Sequence, residues 1–136
     1  MDDYKIEGID IDKGMENCGG SIESYREVLE SFLEDSMTKL REFKPLSKNS
    51  AKKITEQELR RFTGAVHAIK GVSAIIGAQL LSQKAAVLEI AGKNGNIKTI
   101  QMDFPGFYQD LKKHAENVQS FLDTFPDSEA LEEDYV

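Results

Sequence analysis

Residues that break helices are scarce in this chain, and their positions divide it into stretches of helical length. Between them apolar residues recur at steps of three and four, and no stretch alternates with the period of two that a half-buried strand needs. IDIDKGMENCGG (9–20) reads as a short helical turn at most, closed by Gly19-Gly20. Ser21 is placed to cap a helix with Tyr25, Val28, Leu29, Phe32, Leu33, Leu40 and Phe43 on its apolar side, ended by Pro45. SKNSAKK (47–53) reads as a loop. Thr55-Glu56-Gln57-Glu58 has the pattern of a capping box, and the helix it opens carries Leu59, Phe62, Val66, Ile69, Ser73 and Ile76. Gly77 is placed as a left-handed cap, with a tight turn at 77–78. The next helix carries Leu81, Ala85, Leu88 and Ala91, and GKNGN (92–96) closes that hairpin.

Ile97 and Ile100 are then expected in one short turn, with Asp103-Phe104-Pro105 starting the last helix. Its apolar residues are Tyr108, Leu111, Ala115, Val118, Phe121, Leu122 and Phe125, and Pro126 stops it. The pattern predicts an all-α fold, an antiparallel four-helix bundle over about residues 21–125. A short helical segment at about 9–18 precedes it, an acidic, frayed tail at 127–136 follows, and residues 1–136 form a single domain.

Charge narrows the choice of partner. With 17 Lys and Arg against 24 Asp and Glu, the net charge is −7. Nucleic-acid binding needs a clustered basic surface. The one local basic excess, Lys44 to Lys53, is broken by Pro45 and several serines. Neither nucleic acid nor an anionic membrane is expected, and no apolar run approaches the ~20 residues that cross a bilayer. Met1 is followed by Asp2-Asp3, without the basic and apolar regions of a secretory signal, and Cys18 is the only cysteine. The cytoplasm is the expected compartment.

One helix face is chemically unusual. At about 100° per residue, His67 lies roughly 120° from the seam centred on Phe62, Ser73 and Ile69. Its sector holds Arg60, Thr63, Gly64, Lys70, Gly71 and Ala74. Glycine in a helix costs about 0.5–1 kcal/mol relative to alanine, yet Gly64 and Gly71 flank the same ring. Two readings stand. In one, small residues let a neighbouring helix of the same bundle pack closely, with His67 at the edge of the core. In the other, a partner protein docks over His67. A neutral imidazole is a nucleophile, and Lys70 one turn away supplies positive charge for a phosphoryl group.

HAIKGVSAIIGA (67–78) resembles the phosphoacceptor motif of histidine phosphotransfer (HPt) domains of bacterial multistep phosphorelays and hybrid two-component systems. The motif is His, two residues, Lys-Gly, a small pair, then Gly-Ala. LEIAGKNGNI (88–97) is similar to the end of the next helix in those domains, and residues 9–33 are similar to their N-terminal stretch. The likeness covers roughly residues 6 to 125 in order. Val72 stands where Ser or Ala is commoner, and Asn96 where Asp is commoner.

The resemblance implies a phosphocarrier rather than an enzyme, relaying phosphoryl groups between receiver domains of response regulators or of a hybrid sensor kinase. His67 would be the phosphoacceptor, Lys70 its electrostatic aid and Gly71 the clearance for the receiver. The catalytic magnesium would belong to the receiver, so no cofactor or metal is expected here. A monomer is expected.

Geometry adds one residue to the site. Position 67 is eleven before residue 78 and position 89 is eleven after it, and the two helices rise equally, about 1.5 Å per residue. Glu89 is thereby placed to accept a hydrogen bond from Nδ1 and leave Nε2 free to attack; the alternative is a solvated side chain. Ser73, on the seam, is expected to pack, with room for a hydroxyl bond to the preceding turn; a phosphate contact is the less favoured reading. His114 is expected at the surface, and Cys18 half-buried. No Gly-rich ATP-binding boxes are present. The acidic residue and proline that usually follow the histidine of a kinase dimerisation domain are missing, since Ala68 comes next. The strongest rival is a noncatalytic helical adaptor that binds receivers without carrying phosphate.

Overall fold

A computed structural model describes residues 5–43 and 53–124 of the chain. The expected loop at 47–53, except Lys53, and the expected stop at Phe125-Pro126 with the acidic tail lie outside the described residues. Helix α1 spans Ile11–Asn17, α2 Ile22–Phe43, α3 Glu56–Ile76, α4 Gln79–Lys93 and α5 Ile97–Thr124. The chain is all-α. The pairs α2–α3, α3–α4, α4–α5 and α5–α2 pack side by side and close a ring, the four-helix bundle the periodicity predicts. Tyr25, early in α2, donates its hydroxyl to the Ile76 carbonyl at the end of α3 (2.9 Å). Phe43, at the end of α2, meets Phe62 near the start of α3 edge to face, at 5.6 Å between centroids. The two helices are therefore antiparallel.

The caps follow the local sequence. Ser21 Oγ accepts from the Ser24 amide (3.2 Å) and Thr55 Oγ1 from the Glu58 amide (3.1 Å). Glu58 does reach back, but to the Thr55 hydroxyl (3.2 Å) rather than to a backbone N–H. Inside the ring, Phe62, Val66, Ile69 and Ile76 of α3 pack with Leu81, Ala85 and Leu88 of α4. They meet Tyr25, Leu29 and Phe32 of α2 and Phe104, Phe107, Leu111 and Val118 of α5.

Two expectations about helix ends are corrected. The last helix does not start at Asp103-Phe104-Pro105: α5 runs unbroken from Ile97, with Pro105 inside it. Proline lacks the N–H that would bond the carbonyl four residues back, a cost of about 3 kcal/mol in a helix interior. Packing outweighs it, because Ile100, Phe104, Phe107 and Leu111 form one buried stripe across the proline. Asn96 starts this helix by accepting from the Thr99 amide (3.2 Å).

The short N-terminal helical segment expected at about 9–18 is present, and only its length exceeds the single turn expected. α1 makes two turns, capped by Asp10, whose side chain accepts from the Lys13 amide (3.1 Å). Gly14 makes this possible. A Cβ there would lie 2.3 Å from the Tyr25 ring and 2.5 Å from the Ile76 carbonyl oxygen.

Candidate functional site

The α3–α4 hairpin sets the site. Gly77 ends α3 at φ 96°, a left-handed conformation that side chains resist. A Cβ on it would also lie 2.1 Å from the Asp10 carbonyl oxygen. With the turn fixed at Gly77-Ala78, α4 returns along α3 in the register that puts positions 67 and 89 level.

His67 stands outward from α3 with its side chain 65% exposed, while Glu89 on α4 is 5% exposed. Nδ1 of the ring lies 2.5 Å from Glu89 Oε2. An ionised carboxylate can only accept, so the proton of this hydrogen bond sits on Nδ1, and in the neutral ring the lone pair is then on Nε2. Glu89 is thus not a solvated side chain. Lys70 Nζ lies 2.6 Å from Oε1 and Lys93 Nζ 3.4 Å from Oε2. The Lys70 hydrogen bond is the main cause that holds the carboxyl well below its ordinary range, at about 2. Burial opposes it, and the His67 hydrogen bond and charge add to it.

Lys70 is accordingly not a free cation waiting beside the ring, as the sequence suggests; it is held by Glu89. Lys93 is a residue that sequence reasoning missed. The available signal was its place one turn beyond Glu89 on the same helix face.

The small residues divide in two. At Gly64 and Gly71 an added Cβ would meet no atom within 4 Å. Close packing inside the bundle does not explain these two glycines. Arg60 is exposed beside them. Thr63, expected on the docking face, is half-buried: its hydroxyl donates to the Leu59 carbonyl (2.8 Å), and it packs against Gly92 of α4. A Cβ at Gly92 would lie 2.1 Å from Thr63 Oγ1, so the close helix approach is there. Ala74 is half-buried, and its carbonyl accepts from the Asn17 side chain (3.4 Å).

Ser73 is fully buried, and its hydroxyl has no hydrogen-bond partner; the bond to the preceding turn is not made. Ser82, on α4, makes such a contact across the hairpin, donating to the Lys70 carbonyl (2.9 Å). His114 is half-buried rather than a plain surface residue. Its Nδ1–H donates to the Asp110 carbonyl (2.7 Å), and Gly8 packs over its Nε2 edge. Cys18 is half-buried, and burial raises its thiol above the ordinary value. Among the described residues no helix is long and apolar enough to cross a membrane.

Compared with known families, the chain matches the Hpt domain over residues 27–123. That span takes in His67, Lys70, Gly71, Glu89 and Lys93, and leaves out α1 and the first residues of α2. Neither the curated proteins nor the solved structures give a match.

Proposed function

The chain belongs to the Hpt domain family, and from that membership we propose that it is a histidine phosphocarrier in a two-component phosphorelay. In this reading His67 Nε2 takes a phosphoryl group from the aspartyl phosphate of one receiver domain and delivers it to an aspartate of another. The observation that carries it is the His67–Glu89 contact. Nδ1 is tied to a buried carboxylate at 2.5 Å while the ring stands outward, 65% exposed.

The chemistry follows from that tautomer. The Nε2 lone pair forms the N–P bond as the P–O bond of the donor's acyl phosphate breaks, and the bonding pair leaves on the donor's carboxylate oxygen. The ring gains positive charge with its proton still on Nδ1, where Glu89 Oε2 accepts it. The fixed carboxylate meets the charge where it develops, which lowers the barrier to uptake. Lys70, one turn from His67, supplies the cation for the phosphoryl oxygens. Gly64 and Gly71 leave the helix surface bare enough for a receiver's loops, and Arg60 gives that face positive charge on an otherwise acidic chain. Magnesium is assigned to the receiver.

The test is incubation with a phosphorylated receiver. Label that is acid-labile and base-stable, lodged on His67 and lost with His67→Gln, is the expected result. Binding without label would favour the noncatalytic adaptor.

A further inference from the structure

Glu89 holds two lysines unequally. Lys70 Nζ is at hydrogen-bond distance from Oε1, 2.6 Å, while Lys93 Nζ stands off Oε2 at 3.4 Å. Lys70 comes from α3, one turn beyond the histidine; Lys93 comes from α4, one turn beyond the glutamate. The Lys93 side chain is 65% exposed and borders an open cleft also lined by Arg60, Thr63 and Gly95.

A phosphoryl group on Nε2 brings close to two negative charges beside Lys70. One ammonium then faces two anions. A buried carboxylate stripped of its partner is costly, and the cheapest relief is to take the Nδ1 proton from the ring. That would undo the orientation on which transfer in the other direction depends.

Resting on the phosphoacceptor reading, we propose that Lys93 is a positioning residue that closes onto Glu89 when the phosphoryl group draws Lys70 away. The carboxylate stays ionised and the ring stays tied in the phosphorylated state. In the resting protein Lys70 makes the closer contact, 2.6 Å against 3.4 Å for Lys93. Lys93 therefore matters most once phosphate arrives.

The experiment uses the whole chain and phosphoramidate as donor, so that no receiver surface touches Lys93. Phosphorylation is located by mass spectrometry, and the lysine ammonium groups are followed by nitrogen NMR before and after. The Lys93 ammonium should become protected from exchange only after phosphorylation. Lys93→Gln should leave the resting His67 tautomer unchanged and slow uptake by about fivefold, the upper range for an exposed ion pair. Lys93→Arg should restore the rate, and in a Glu89→Gln background Lys93→Gln should have no further effect. Label on His67 with an unaltered Lys93 ammonium, or Lys93→Gln at the wild-type rate, overturns this proposal alone. Wild-type protein with no label on His67 overturns the phosphoacceptor reading beneath it, and this one with it.

Discussion

A carboxylate 5% exposed survives as an anion only because its contacts outweigh its desolvation. For Glu89 those contacts lower the pKa from 4.5 to about 2. At about 1.4 kcal/mol per pKa unit, the pH-dependent stabilisation is on the order of 3 kcal/mol at most. The folded pKa is depressed, so this stabilisation is fully present above the unfolded value and is lost as pH falls through the folded one. Glu89→Gln should accordingly destabilise the protein near pH 7, and the gap from wild type should close between pH 4.5 and 2. Urea denaturation of both proteins across that range measures it, and a gap independent of pH would mean that Glu89 is not held as an anion. The hairpin register made the position of Glu89 legible, because equal rise on two helices is simple arithmetic. Its burial was not legible, nor was Lys93, because both depend on which way long side chains turn.

Glycines within helices carry opposite meanings on α3 and α4. Gly71 faces open space, so Gly71→Ala should stabilise the protein by up to about 1 kcal/mol through helix propensity. Gly92 lies under the β-branched side chain of Thr63, which cannot swing aside while its hydroxyl is bonded to Leu59. Gly92→Ala should destabilise by about 1–3 kcal/mol. Urea midpoints of the two variants should move in opposite directions. Equal shifts would remove the case that the α3 glycines are kept for a partner. From sequence, Gly71 reads as part of the bare face around His67 and Gly92 as the start of the closing turn; α4 instead runs on to Lys93, and the packing of Gly92 under Thr63 was not legible. The cap at Gly77 was legible, since left-handed backbone and the end of a periodic run coincide there. The α5 start was not, because a proline normally marks a boundary and the apolar stripe that overrides it includes Phe107, which only packing identifies as core.

At the scale of the whole molecule, the family match begins at residue 27, so α1 is an addition to the matched span. It packs on the end of the bundle at Gly77, about ten residues of helix from His67, through the Asp10 amide and the Gly77 carbonyl (3.0 Å). Ile11 is 6% exposed there. Ile11→Ala should cost about 2–4 kcal/mol of stability in urea denaturation, yet leave phosphoryl uptake per folded molecule unchanged. Reduced uptake in the folded variant would tie α1 to the reaction. The bundle was legible because helical periodicity is repeated in every long stretch. The ordering of α1 was not, because seven residues carry too few periods to separate a helix from a turn.

Nitrogen NMR of the imidazole decides whether His67 is a nucleophile whose Nδ1 is held by Glu89. Spectra are taken before and after transfer from a phosphorylated receiver. The expected result is a proton on Nδ1 in the free protein and phosphorus bonded to Nε2 in the charged one. Phosphorus on Nδ1, or on any residue other than His67, would contradict it.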